Sequence, residues 1–84
     1  MNWFVYILEC RDESFYVGLT TNLERRLIQH QQAAFNNYTK SRRPVKLVYW
    51  EVFQDKHLAA LREKQVKDYR REKKKLLIDS LLRA

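Results

Sequence analysis

Residues 3–10, Trp-Phe-Val-Tyr-Ile-Leu-Glu-Cys, constrain the fold more than any other stretch of this chain. They are rich in aromatic and β-branched types and read as a strand. Side chains of a strand alternate between two faces, so Trp3, Val5 and Ile7 share one side and Phe4, Tyr6 and Leu8 the other. Both sets are apolar. Such a strand has to be well covered or central in its sheet.

Arg11-Asp12-Glu13 is a polar break, and Ser-Phe-Tyr-Val-Gly over 14–18 reads as a second strand, so 3–18 is a hairpin. A three-residue loop pairs Cys10 with Ser14, sets Tyr16 opposite Leu8 and sets Tyr6 opposite Gly18. Tyr6 and Tyr16 then lie on one face as diagonal neighbours. A loop of two or four residues would put them on opposite faces.

Helix signals follow. Thr21 with Glu24 fits a capping box, and Asn22 is the alternative cap of a helix over 22–32. Leu23 and Leu27 form its inner stripe, with Arg26 and His30 four apart along the edge. Residues 33–45 read as an irregular segment that ends at Pro44 before a third strand over 46–53. Asp55 caps a second helix over 56–70. Leu77, Ile78, Leu81 and Leu82 mark a third helix from 72 onward, with Arg70-Arg71 the place for a bend. The expected fold is α+β, a three-stranded, mostly antiparallel sheet flanked by helices in the order ββαβαα.

The 84 residues make one domain, 1–84. A chain of this size buries roughly 60–65% of its unfolded surface, enough for one core and a shallow active groove but not an enclosed pocket. Hydrophobic residues at 45% and aromatics at 13% exclude a disordered chain. Cys10 is the only cysteine, which excludes an internal disulfide and a cysteine-based zinc site. Met1-Asn2-Trp3-Phe4 has no cationic leader, and no apolar run reaches bilayer-spanning length, so the expectation is a cytoplasmic protein with no membrane partner.

The net charge of +7 favours a polyanionic partner, nucleic acid above all. Positions 56–84 hold ten Lys or Arg against four Asp or Glu, densest at Arg70-Arg71-Glu72-Lys73-Lys74-Lys75. Lys40, Arg42, Arg43 and Lys46 form a second cluster beside Phe35 and Tyr38. These clusters are either solvated surface or a track for a phosphate backbone, with the two aromatics stacking on bases. The candidate nucleic-acid contacts are Tyr38, Lys40, Arg42, Arg43, Arg70 and Arg71.

Five groups are candidates for chemistry. Tyr6 and Tyr16 are either core aromatics or two phenols on one wet face that orient a water or take its proton. The second reading requires a nearby cation to favour the phenolate. Arg26 is either a solvated helix residue or, beside Leu23 and Leu27, a half-dry guanidinium able to grip phosphate through two donors. His30 is a helix-end cation or a proton-transfer partner near neutral pH. Glu63, flanked by Ala59 and Val66, is a carboxylate in an internal ion pair or a ligand of Mg²⁺, which takes one or two carboxylates and keeps several waters. Gly18, the single glycine, suits a strand-end turn or a point of close approach.

In this order these residues resemble a known family. Phe4-Val5-Tyr6 followed by Tyr16-Val17-Gly18 resembles the motif pair that names the GIY-YIG nucleases. Asn22 to His30 resembles that family's helix with its catalytic Arg and His, and Ala60 to Gln65 resembles the segment with its metal-binding Glu. The likeness runs from Trp3 into the third helix and is closest to the small stand-alone bacterial members. It implies hydrolysis of DNA phosphodiesters with Mg²⁺ or Mn²⁺, weakly sequence-specific or structure-selective, in DNA repair or processing. It implies that Tyr6 activates the water or assists its activator, Tyr16 positions water and phosphate, Arg26 clamps the phosphate, His30 assists proton transfer and Glu63 holds the metal. Phe4 stands where the family has its first glycine, valines replace both isoleucines, and no Asn follows Asn37 to match the late active-site Asn of many members. The rival reading is a non-catalytic nucleic-acid-binding module on the same scaffold.

Overall fold

The computed structural model describes residues 1–32 and 37–83. Two strands, β1 (Trp3–Cys10) and β2 (Phe15–Thr20), precede α1 (Leu23–Gln31) and the one-turn helix α2 (Asn37–Lys40). Strand β3 (Val45–Phe53) and helices α3 (Lys56–Asp68) and α4 (Arg71–Arg83) complete the chain. The sheet order is β2-β1-β3, with both neighbours antiparallel to β1. The strand with two apolar faces is therefore the central one.

The hairpin has the three-residue loop. Cys10 N–H donates to Ser14 O at 2.9 Å, Leu8 faces Tyr16, and Tyr6 faces Gly18. Asp12 holds the loop by accepting from the Ser14 N–H at 3.1 Å and the Ser14 hydroxyl at 2.6 Å. Glu13 takes the left-handed conformation, φ 68°, that such a loop demands.

Each face of β1 collects its own layer. Val5 and Ile7 pack with Val17, Tyr49, Ala59 and Val66, with Tyr69, Leu77, Ile78 and Leu81 beside them; this is the α3–α4 side. Tyr6, Leu8 and Cys10 pack with Val45, Tyr16, Leu23, Leu27 and Leu47; this is the α1 side. Helix α1 is capped by Asn22, whose side chain accepts from the Arg25 N–H at 2.9 Å, so the cap is Asn22 and not Thr21. Asp55 caps α3 through the His57 and Leu58 N–H groups. The Arg62 guanidinium grips the Glu51 carboxylate of β3, with Nε at 2.9 Å and Nη2 at 2.8 Å, and so ties α3 to the sheet.

The connection before β3 differs from the irregular segment expected for 33–45. It contains α2, stabilised by arginines that spend their donors on local carbonyls. Arg42 donates to Tyr38 O at 2.9 Å, and Arg43 donates to Lys40 O at 3.1 Å and to Gln31 O at 2.9 Å. No 3.6-residue apolar period marks so short a helix, which is why the sequence does not reveal it. The Arg43–Pro44 peptide is cis. Phe35 lies outside the described residues.

Candidate active site

Tyr6 leaves the centre of β1 on the α1 side, and its ring lies across β2. The position opposite is Gly18, and a methyl group there would stand 2.3 Å from the phenol Cζ and oxygen. The glycine serves close approach, and what approaches it is the phenol. The hydroxyl is thereby carried toward the outer edge of the sheet.

Three other groups meet it there, and a fourth acts from the far layer. Tyr16 lies 6.4 Å from Tyr6, ring centre to ring centre, on the same face. The His30 ring is 4.9 Å from that of Tyr16, and its Nε2 is 3.1 Å from the Tyr6 hydroxyl. The Arg26 guanidinium donates to Leu19 O of β2 at 3.5 Å, and its positive charge acts on the Tyr6 phenol. Glu63 comes from α3, on the other layer, where it pairs with Lys67; its charge bears only weakly on the Tyr6 phenol. The two phenols, Arg26 and His30 meet at the β2 edge.

The local electrostatics differ in two respects from what the sequence led us to expect. Tyr6 is buried, not on a wet face, because α1 covers it. Burial holds its phenol above the usual range; Tyr16 and Glu63 push the same way, and the charge of Arg26 pulls it down. His30 is fully buried and lowered to about 4 by that burial and by Arg26. It is a neutral imidazole at pH 7, neither a helix-end cation nor a group that titrates near neutrality. Its second nitrogen, Nδ1, is 2.8 Å from Oγ1 of the fully buried Thr39 on α2. The sequence reading overlooked Thr39, because a lone threonine in a segment without periodicity carries no signal.

Glu63 is half-buried and pairs with Lys67 one turn on, at 3.4 Å. With Lys67 half-exposed, that pair holds the carboxylate only weakly. Among the described residues no group of three or more His, Cys, Asp or Glu side chains could hold a metal. A single carboxylate does not suit a tightly bound resident ion; its chemistry fits a hydrated divalent cation that keeps most of its waters.

The candidate nucleic-acid contacts surround this edge unevenly. Tyr38 stacks between the Arg42 guanidinium, 4.2 Å from its ring centre, and Tyr16, 5.7 Å away. Arg42 also pairs with Asp12 at 3.0 Å. Arg71 covers the Phe15 ring at 4.6 Å and donates to Glu13 O. Lys40, Arg43 and Arg70 are exposed, although Arg43 already donates to two carbonyls. Beside Arg26 lies a polar cleft of about 270 Å³ lined by Thr20, Thr21, Asn22, Arg25 and Gln29. No helix among the described residues is long and apolar enough to cross a membrane.

Comparison with known proteins agrees with the fold and with the family resemblance. The model of the GIY-YIG catalytic domain matches residues 2–76. A UPF0213 protein of Clostridium perfringens is 48% identical over 77 residues, covering 92% of this chain and 83% of that one. A UPF0213 protein of Haloquadratum walsbyi is 46% identical over 76 residues, covering 90% and 85%. The solution NMR structure of a UPF0213 protein from Bacillus halodurans superposes with a TM-score of 0.61 at 42% identity, covering 94% of this chain and 84% of that one. The solution NMR structure of a protein from E. faecalis gives 0.68 at 30% identity, covering 100% and 90%. With the catalytic-domain model matched over residues 2–76 and relatives 46–48% identical over about nine-tenths of its length, this chain belongs to the GIY-YIG family.

Proposed function

We propose that this protein hydrolyses DNA phosphodiester bonds with a divalent cation, acting in a weakly sequence-specific or structure-selective way in DNA processing or repair. The observation that carries the reading is the meeting of two phenols, a guanidinium and an imidazole from three separate elements, with Glu63 of α3 the acid whose charge reaches the Tyr6 phenol.

Glu63 would hold the ion with one carboxylate. When bound, the ion polarises the phosphoryl oxygen and offsets growing negative charge. Arg26 meets the same charge from the α1 side; its guanidinium lies against the β2 edge, where a phosphate oxygen can accept its donors. Tyr6, hydrogen-bonded to His30 and within the field of Arg26, takes a proton from the attacking water. Tyr16 orients water and phosphate. Phenolate formation is opposed by burial in the resting protein, so Tyr6 is activated only as the cations and substrate assemble around it.

The test is nicking of supercoiled plasmid and of branched duplexes with Mg²⁺ or Mn²⁺. Glu63→Ala should abolish metal-dependent cleavage while circular dichroism shows a native fold. Arg26→Ala should lower kcat by about 100- to 1,000-fold, more than it weakens binding. Equal cleavage by Glu63→Ala and the parent chain would remove the mechanism. DNA binding without cleavage by the parent would leave a non-catalytic binding module.

A further inference from the structure

We infer that Thr39 is a positioning residue for this site: its Oγ1 accepts the Nδ1–H of His30, which leaves Nε2 as the lone-pair nitrogen facing the Tyr6 hydroxyl. The inference rests on the proposed function and deepens it, because it assigns a direction to the proton path.

Three buried groups stand in line, with Thr39 Oγ1 2.8 Å from His30 Nδ1 and His30 Nε2 3.1 Å from the Tyr6 hydroxyl. Thr39 and His30 are both fully buried, and Tyr6 is nearly so. A neutral imidazole has one N–H and one lone pair. The line therefore has two arrangements. Either His30 donates to Thr39 and accepts from Tyr6, or Thr39 donates to His30 and His30 donates to Tyr6.

The buried Tyr6 hydroxyl decides between them. Among the described residues its hydrogen-bond contact is His30 Nε2, and with a hydrogen on that nitrogen the phenol's own O–H would be buried without an acceptor. Nε2 is therefore the acceptor. With the lone pair on Nε2, the hydrogen is on Nδ1, and Thr39 Oγ1 accepts it. A hydroxyl can play either part, so Thr39 adapts to the tautomer that Tyr6 requires and then holds it.

The chain invests in keeping Thr39 there. Helix α2 is one turn long and cannot hold itself in place. Arg43 bridges it to α1 by donating to Lys40 O and Gln31 O. Arg42 closes its C-terminal end, with its backbone N–H on Thr39 O at 3.1 Å and its guanidinium on Tyr38 O. Two arginines that the sequence offered as phosphate contacts thus seat the threonine on the histidine. On the proposed chemistry, Nε2 accepts the Tyr6 proton as the phenol oxygen takes one from the attacking water, and that proton returns to Tyr6 as the phenol gives its own to the departing oxygen; Nδ1–H stays on Thr39 throughout.

Long-range proton–nitrogen NMR spectra of the labelled, metal-free protein report which ring nitrogen of His30 carries hydrogen. The expected result is Nδ1–H in the parent chain and in Thr39→Ser. In Thr39→Val, which keeps the shape and removes the hydroxyl, the expected result is a shift toward Nε2–H. In the Mg²⁺-dependent nicking assay, Thr39→Val should lower kcat about 10- to 100-fold with KM unchanged, and Thr39→Ser should restore it. An Nε2–H tautomer in the parent chain overturns the inference, as does a Thr39→Val protein with unaltered tautomer and kcat. Should Thr39→Val fail to fold, the parent and Thr39→Ser spectra still decide. A parent chain that cleaves nothing would overturn the proposed function, and the spectra would judge Thr39 independently.

Discussion

At Gly18 the absence of a side chain is a requirement of Tyr6. A methyl group there would meet the phenol end of Tyr6 at 2.3 Å, and that ring is buried with its hydroxyl held by His30. Gly18→Ala should therefore cost about 1–3 kcal/mol, the usual range for overpacking, and chemical denaturation measures it. It should also displace the Tyr6 hydroxyl, so cleavage falls further than stability accounts for. His30 supplies a second prediction. Its folded value of about 4 lies below the ordinary 6.5, so the unfolded chain takes up a proton first as pH drops. Its contribution to stability is complete above about pH 6.5 and is lost as pH falls toward 4. Thermal melts across that range should show a shallower decline for His30→Gln than for the parent chain. The two phenols were readable together because the hairpin loop length fixed their face. The burial of His30 was not, since it depends on α2, a single turn that no sequence period announces.

Among the elements, α3 depends most on one contact. Arg62 and Glu51 pair at 2.8 Å with both side chains about a fifth exposed, and Tyr49 donates its hydroxyl to the same carboxylate. Arg62→Ala leaves that carboxylate half-buried without its cation and should cost about 2 kcal/mol. Because Glu63 is the next residue, the same change should lower cleavage under conditions where the variant is still folded; urea titration and nicking rates on one preparation check this. Strands and long helices were legible in the chain. Residues 3–10 have two apolar faces, Asn22 and Asp55 are caps, and Leu77, Ile78 and Leu81 recur at helical spacing. The Arg62–Glu51 tie was not legible, because 11 residues and a turn separate the partners and nothing local couples them.

For the molecule as a whole, the charge of +7 is unevenly available. Arg42 and Arg71 are committed to rings, carbonyls and Asp12, Arg71 while still exposed, whereas the exposed Lys40 and Arg70 side chains project into solvent. If binding neutralises about three phosphates, raising salt from 50 to 200 mM should weaken it on the order of 40-fold. Replacing both Lys40 and Arg70 by Ala should flatten the salt slope by about two without loss of stability. Arg42→Ala or Arg71→Ala should lower the melting temperature instead. Fluorescence anisotropy with a labelled duplex and thermal denaturation separate the two outcomes.

Arg26 and His30 ride on the helical layer that covers Tyr6, while Glu63 rides on the opposite one. The acid and the guanidinium are therefore supplied from opposite sides of a three-stranded sheet, and on the proposed chemistry a copy that has not yet seated its last two helices lacks the acid and cannot cut.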